Sequence, residues 1–261
     1  MTRGRGLADR LLVAAAVVVA WQLASLVFGA HWFSPPLLTA RRFLQLVAGG
    51  ELLRHSLFTL AAAVGGFLLG GVPGVLLPFL LRRAPRLAAI LDPYLVAGYG
   101  MPKLALAPLF ILWFGIGLAS KVVLVASVVF FLILFSAAAG VRGADVRLVA
   151  MARVAGAGER SVARHVVWPG AVPYIFAGLK ISLSYSIGAA VVGELISSNR
   201  GLGYLIQAAS QDFDTATVFA GLMAVTVLVI ALNELVEAAE RRVLRWRPAD
   251  VQPAERLVTA A

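Results

Sequence analysis

The chain has 261 residues, of which 61% are hydrophobic and only 14% are charged, and it contains no cysteine. A typical soluble domain has about 45–50% apolar and about 25% charged residues, so this composition excludes an ordinary soluble enzyme, a disordered chain and a disulfide scaffold. The net charge of +10 would suggest nucleic-acid binding in a soluble protein. In a membrane protein the distribution of charge matters more than its sum.

Six apolar segments are long enough to cross a bilayer as helices, which takes roughly 20 residues each. They are predicted at residues 11–29, 56–81, 87–114, 122–140, 173–196 and 216–236. The third contains Pro102, Lys103 and two further prolines, so we expect it to be broken or bent. The first is interpreted as a retained signal-anchor helix, because its apolar stretch exceeds that of a usual signal peptide.

Lysine and arginine residues indicate the orientation of these spans. With the N terminus in the cytoplasm, 16 of the 23 Lys and Arg residues fall on the inner side and 5 on the outer side. Since cytoplasmic loops carry the excess of positive charge, both termini are predicted to be cytoplasmic. Nucleic acid is therefore not an expected partner, whereas membrane lipid is.

The chain divides into three predicted parts. Residues 1–55 hold the signal-anchor helix and an amphipathic segment on the outer side, residues 56–240 form the membrane core, and residues 241–261 form a basic cytoplasmic tail. The amphipathic segment is interpreted as an interfacial helix leading into the second span, with contact to an external partner as the alternative. Trp246 and the arginines of the tail suit an anionic headgroup surface.

The longest cytoplasmic loop, residues 141–172, has its own predicted structure. Asp145 can cap a helix that begins at Val146, and Gly156 suits the left-handed position just past the end of that helix. Glu159 would then lie in the first turn of a second helix, where its charge favours the helix dipole. The loop is predicted to be a helix–turn–helix that docks a cytoplasmic partner.

Within the second helix of this loop, α-helical spacing places Val162 and Val166 on one face and Arg160 and Arg164 on another.

In the second span, Gly66, Gly70 and Gly74 form overlapping GxxxG repeats. Such small residues allow helices to pack closely in a membrane.

The sequence contains no GxxxxGK[ST], HExxH or GxSxG motif, and its three histidines show no ligand spacing. We therefore predict no catalytic residues, no metal site and no cofactor. An intramembrane enzyme is disfavoured because no span holds a cluster of catalytic groups. A secondary transporter is disfavoured because that class usually carries internal repeats and paired ionisable residues in the membrane.

The loop resembles the EAA signature of permease subunits of ATP-binding-cassette (ABC) importers, which runs Glu-Ala-Ala, three residues, Gly, then about a dozen residues to Leu-Pro. Ala152 and Arg153 match its second alanine and the residue that often follows. Gly156 and Ala157 match the glycine step, and Trp168-Pro169 stand where Leu-Pro is usual. Ala150 and Met151 replace the glutamate and first alanine, which removes an acidic contact commonly offered to the ATPase.

Residues 91–121, 173–183 and 193–216 look like the nitrate/sulfonate/taurine branch of these importers. The resemblance implies an all-α membrane fold of the type I importer class, with six transmembrane helices and a cytoplasmic coupling helix–turn–helix. It also implies a non-catalytic permease that pairs with a second, usually identical copy. Two cytoplasmic ATP-binding subunits would dock on the loops, and an external substrate-binding protein would deliver the solute.

The expected cargo is a small anionic solute of the nitrate, sulfonate or taurine class, with a pyrimidine vitamin precursor or riboflavin-like solute as the alternative. The expected ATPase-coupling residues are Ala152, Arg153, Gly156, Ala157, Glu159, Arg160, Arg164 and Pro169. The candidate residues of the translocation pathway are Tyr99, Lys103, Ser182, Ser186 and Glu194.

Each pathway candidate also has a structural interpretation. Lys103 could attract an anionic solute, or it could bond to carbonyls freed by the prolines. Glu194 could act within the membrane or lie in the outer headgroup water. The stripe of small residues that includes Ser182 and Ser186 could line a polar path, or it could allow close helix packing.

Overall fold

The computed structural model describes residues 3–245, and side chains from residue 9. Trp246 and the remaining tail, for which we predicted headgroup contacts, lie outside the described residues. Within residues 3–245 every regular element is helical. The α helices are α1 (Arg3–Phe28), α2 (Pro36–Ala48), α3 (Glu51–Arg82), α4 (Pro85–Gly100), α5 (Ala107–Phe114), α6 (Leu118–Arg142), α7 (Val146–Val154), α8 (Glu159–Val162), α9 (Trp168–Ile196), α10 (Leu202–Gln211) and α11 (Thr215–Val243).

Five helical segments are long and apolar enough to cross a membrane: Asp9–Phe28 of α1, then α3, α6, the continuous run Glu159–Ile196 and α11. A sixth crossing comes from α4 and the segment Lys103–Phe114, which meet the same criterion together but bend by 81° at their junction. The break is at Met101, which is extended with φ −66° and ψ 136°, because the residue before a proline is disfavoured in a helix. The predicted interruption of the third span is confirmed.

Glycines let α3 and α6 pack at close range. A Cβ atom on Gly66 would lie 2.4 Å from Val125 Cβ, and one on Gly70 would lie 2.3 Å from the carbonyl oxygen of Ala126. Only hydrogen fits at these positions, which confirms the predicted packing role of the GxxxG repeats. Since residue numbers increase together along the contact, α3 and α6 run parallel.

Helix α9 packs antiparallel on α6. Gly140 near the end of α6 meets Ala171 near the start of α9, and Gly178 meets Ser136. These directions place the connecting segments at two ends of the bundle. One end, which we call the basic end, carries the last residue of α3, Arg82, the last residue of α6, Arg142, and the loop 143–167. The opposite end carries residues 197–214. Because α3 and α6 are parallel, the bent segment between them must cross the bundle.

At the opposite end, the predicted amphipathic segment forms α2 and packs on the start of α11. Arg42 Nε donates a hydrogen bond of 2.7 Å to Thr217 Oγ1, and its guanidinium lies 3.5 Å from the Asp214 carboxylate. Leu46 is buried in an apolar cluster with Leu205 of α10. These contacts fix α2 to the core before Gly50, at φ +72°, turns the chain into α3.

Candidate functional site

The loop at the basic end has the helix–turn–helix form predicted for it. The Asp145 carboxylate accepts a hydrogen bond of 2.8 Å from the Arg147 backbone N–H and so caps α7. Gly156 has φ +84°, which confirms the predicted left-handed turn. The N–H of Gly156 bonds to the Arg153 carbonyl and that of Ala157 to the Ala152 carbonyl, each at 2.9 Å. This pair of bonds is a Schellman motif, which explains why the signature places glycine four positions after its second alanine.

Glu159 joins the two halves of the loop to the membrane bundle. It lies in the first turn of α8, as predicted. Its carboxylate receives a hydrogen bond of 2.6 Å from Arg153 of α7 and lies 3.5 Å from the guanidinium of Arg82 at the end of α3. Both contacts are solvent-exposed, so their contribution to stability is small. Their geometric effect is to tie α7 to α3.

The second helix of the loop departs from regular α-helical spacing. Residues Ala163–Val167 form a π turn, which shifts the following residues by one position around the helix. As a result Val162 pairs with Val167, both fully buried, whereas Val166 is only half-buried. Arg160 and Arg164 are exposed, as the pattern suggested. The expected partnership of Val162 with Val166 assumed a regular helix and is corrected here.

The buried side of the loop rests on α6 and α9, in a cluster with Ala137, Val141 and Ala171. Pro169 lies in the first turn of α9, directly after the π turn and within the continuous helical run Glu159–Ile196. The outer side of α7 is apolar and unpartnered in the described part of the chain. Met151 is 67% exposed and Val154 92% exposed, next to the exposed Ala150.

A second candidate site is a groove of about 610 Å³ beside the break in the third span. Its lining residues are Pro102, Lys103, Leu104, Val128, Ser184, Tyr185, Gly188, Ala189 and Val192. The Lys103 ammonium donates hydrogen bonds of 2.7 Å to the Tyr99 carbonyl and 3.2 Å to the Met101 carbonyl. These are carbonyls freed by the helix break, so the lysine both satisfies the backbone and lines the groove.

The other pathway candidates do not line this groove. Tyr99 is half-exposed, with its ring centroid 4.9 Å from that of Phe135. Ser182 and Ser186 are fully buried. Ser186 donates a hydrogen bond of 2.7 Å to the Leu183 carbonyl, while Ser182 Oγ finds no partner in the described part of the chain. In this single chain the two serines lie between packed helices.

Glu194 is 1% exposed and lies at the opposite end of the bundle, in contact with the first turn of α10. Its Oε2 atom accepts hydrogen bonds of 2.9 Å from the Thr59 hydroxyl and 2.8 Å from the Gly203 N–H. It follows Val192 of the groove by two residues, about 200° around the helix. Glu194 therefore faces away from the groove.

Lys121, one of the five Lys and Arg residues that the charge distribution placed on the outer side, is buried, and the sequence analysis gave it no role. It is 1% exposed, and its ammonium donates to the carbonyls of Ile116 and Ser197. The helix begins at Leu118, four residues before the predicted span, and that early start draws Lys121 inside. Among the described residues, no group of three or more His, Cys, Asp or Glu side chains could hold a metal ion.

Residues 58–245 match the family of binding-protein-dependent transport system inner membrane components. The riboflavin transport system permease protein RibX of Chloroflexus aurantiacus is 37% identical over 88% of this chain and 87% of its own length. A Bacillus subtilis protein named as an aliphatic sulfonates transport permease, SsuC, is 35% identical over 91% of this chain and 87% of its own. The taurine transport system permease protein TauC of Escherichia coli is 31% identical over 90% and 87%, respectively.

Two solved structures share the fold. An inward-facing form of the methionine ABC transporter MetNI has a TM-score of 0.58 at 20% identity, over 77% of this chain and 96% of that chain. An amino acid ABC transporter has a TM-score of 0.62 at 18% identity, over 77% and 98%. The expected all-α importer permease fold is thus confirmed. The chain belongs to the family of inner membrane components of binding-protein-dependent transport systems and is a multi-pass permease of the ABC importer class.

Proposed function

We propose that the chain forms the translocation pathway of an ATP-driven importer for a small organic anion of the sulfonate or taurine class. An external substrate-binding protein delivers the solute, and the permease itself has no catalytic activity. The choice of an anion rests on one observation: the charged side chain of Lys103 lines the groove of about 610 Å³. A cation held at membrane depth favours an anionic solute.

In the proposed assembly, two copies of this chain surround the pathway, and each binds one cytoplasmic ATP-binding subunit. The contact surface is the exposed apolar face of α7, with Met151 and Val154 at its centre and Arg147 beside it. An apolar patch with a charged rim is typical of a protein interface. The basic end and both termini are then cytoplasmic, in agreement with the distribution of Lys and Arg.

Coupling residues act in this scheme by fixing the shape of the loop. Ala152, Gly156 and Ala157 form the Schellman turn, and Arg153 and Glu159 link α7 to α3. Pro169 lies in the first turn of α9. Arg160 and Arg164 lie exposed beside them and can pair with acidic groups of the ATPase. A movement of α7 on the ATPase surface is thereby transmitted to two membrane helices.

The test is uptake into liposomes that contain the permease with its ATPase, in the presence of the cognate binding protein. Radiolabelled taurine and an alkanesulfonate should accumulate only when ATP is enclosed with the ATPase. Uptake driven by an ion gradient without ATP would overturn the importer assignment. ATP-dependent uptake of another solute, with which neither taurine nor the alkanesulfonate competes, would overturn only the choice of cargo.

Riboflavin is the second candidate cargo, because the riboflavin permease RibX is 37% identical to this chain. The groove also contains the aromatic side chain of Tyr185, on which a flat ring system could stack. The same liposomes distinguish the two solutes: riboflavin uptake should then exceed taurine uptake and should not depend on the charge of Lys103.

A further inference from the structure

Helix α10 is held at the opposite end of the bundle by side chains from two other helices. Three successive backbone N–H groups at its start, those of Gly201, Leu202 and Gly203, donate hydrogen bonds to side chains rather than to water. The acceptors are His55 Nδ1 at 3.0 Å, Thr59 Oγ1 at 2.8 Å and Glu194 Oε2 at 2.8 Å. We call these three acceptor side chains the α10 clamp.

The clamp satisfies groups that a helix normally leaves open. The first N–H groups of any helix lack intrahelical partners and are usually capped by a single nearby side chain or by water. Here His55 and Thr59 come from α3 and Glu194 from α9, and all three are buried. Breaking the clamp would leave buried donors unpaired, which is costly in an apolar environment.

The backbone is shaped to fit this carboxylate. Gly201 has φ +106°, and a Cβ atom there would lie 2.2 Å from Glu194 Cδ. A Cβ atom on Gly203 would lie 2.7 Å from Glu194 Cβ. Both glycines are therefore required for the chain to close over Glu194. Lys121 packs against Gly193, the residue before Glu194, while the second carboxylate oxygen, Glu194 Oε1, is buried without a hydrogen-bond partner in the described part of the chain.

Apolar contacts complete the seating of α10. Leu202 and Leu205 are buried in one cluster with Leu52 at the start of α3 and Ala220 of α11. In this position α10 closes the bundle between α3, α9 and α11. The clamp faces away from the groove that contains Lys103, so it has no direct access to a solute there.

We propose that Glu194, with Thr59 and His55, is a positioning residue that keeps α10 docked on α3, α9 and α11 throughout the transport cycle. The opposite end of each permease then moves as one body, and the pathway opens beside α10 rather than by its departure. Glu194 acts on transport through α10 and does not touch the solute. This inference rests on membership of the permease family, and its cycle test also uses the proposed ATPase.

The first experiment measures the opening of α10 directly, and the absence of native cysteine makes it simple. Ala209 of α10 is 7% exposed, so Ala209→Cys provides a buried reporter. Adding Thr59→Val removes the clamp hydroxyl at nearly constant volume and should increase the rate of maleimide labelling by about fivefold or more. Thr59→Ser, the matched control, keeps the hydroxyl and should leave the rate unchanged. Equal rates in the Val and Ser variants would overturn the role of the clamp.

The second experiment locks α10 in place during turnover. A Cβ atom on Gly221 of α11 would lie 4.0 Å from Ile206 Cβ, within the range of about 3.5–4.5 Å found in disulfides. The double variant is Gly221→Cys with Ile206→Cys, and the second substitution also removes the branched side chain that would crowd the new cysteine at residue 221. With the disulfide formed by oxidation, and reconstituted with its ATPase and binding protein, this variant should hydrolyse ATP at the rate of its reduced form. A large loss of hydrolysis that reduction restores, with both single variants unaffected, would show that α10 must move and would overturn the proposal.

The two readouts separate this inference from the proposed function. Labelling of the reporter requires only the folded permease, so it stays informative if no ATPase binds. Failure of an ATPase to co-purify would refute the proposed assembly but not the clamp. Glu194→Gln provides a further check, because it keeps an acceptor oxygen and should preserve slow labelling, whereas Glu194→Ala should not.

Discussion

The Lys103 ammonium lies 4.6 Å from the centre of the Phe131 ring on α6. This is the geometry of a cation–π contact, and together with two backbone carbonyls it stabilises a positive charge at the edge of the groove. The ammonium has three donors and only two carbonyl partners, so one donor can reach an arriving anion.

Lys103→Met should lower the uptake of an anionic solute by about tenfold, which corresponds to about 1.4 kcal/mol, because the side-chain length remains while the charge is lost. Lys103→Arg keeps the charge and should retain most of the uptake. The measurement is initial uptake in liposomes, with co-purification of the ATPase as the control for assembly. Unchanged kinetics in Lys103→Met would remove this residue from the pathway.

Gly156→Val should uncouple ATP hydrolysis from transport while the protein still inserts in the membrane. No atom lies within 4 Å of a Cβ atom placed on Gly156, so the constraint comes from φ +84° and not from space. A left-handed conformation costs an ordinary residue about 1–2 kcal/mol and a β-branched residue more.

Two control variants isolate the conformational effect at Gly156. Gly156→Asn should be milder, because asparagine tolerates the left-handed region. Gly158 has equally open surroundings but φ −69°, so Gly158→Ala should retain coupling. The ratio of solute transported to ATP hydrolysed measures each effect. An unchanged ratio in Gly156→Val would contradict the proposed role of the turn.

Gly70→Ala should destabilise the membrane core by about 1–3 kcal/mol, the range for overpacking. The added methyl would lie 2.3 Å from the Ala126 carbonyl oxygen, so α3 and α6 would have to separate. Gly170→Ala is the matched control in α9, where a Cβ atom meets nothing within 4 Å. Thermal unfolding of the detergent-solubilised protein tests both variants, and equal midpoints would argue against close packing of α3 on α6.

Asp214 should make stability dependent on pH in the acidic range. Burial opposes its ionisation, but hydrogen bonds from the Thr217 side chain and backbone, with attraction to Arg42, outweigh burial and hold the pKa of Asp214 below its ordinary value of 3.8. A lowered pKa in the folded state means that the stabilisation is complete above about pH 5 and is lost as the pH falls through the folded pKa.

Asp214→Ala should cost about 0.5–2 kcal/mol at neutral pH, as for other N-caps. Asp214→Asn keeps a capping oxygen and should cost less. The difference in unfolding midpoint between Asp214→Asn and the unsubstituted protein should be constant from pH 7 to pH 5 and should shrink below pH 4. A difference that grows on acidification would contradict the assignment.

The sequence predicted the loop well because its signals are local. An N-cap at Asp145 and a glycine turn at Gly156 depend on a few neighbouring residues, and both are present as expected. The π turn was missed, since it depends on how Val162 and Val167 fit against α6 and α9. Residue spacing alone gives no sign of that fit.

The sequence by itself determined the class of protein, the number and order of the spans and the interruption of the third span, because apolar run length and proline chemistry act within one segment. Only the structure placed that break before Pro102 and not at Pro93, which lies inside α4. The tertiary structure decided which polar residues share a site. Lys103 lines a groove, while Glu194 turns away from it to bind α10. Both are charged residues in apolar segments, and the sequence could not separate their roles, because the burial and partners of a side chain depend on which helices pack around it.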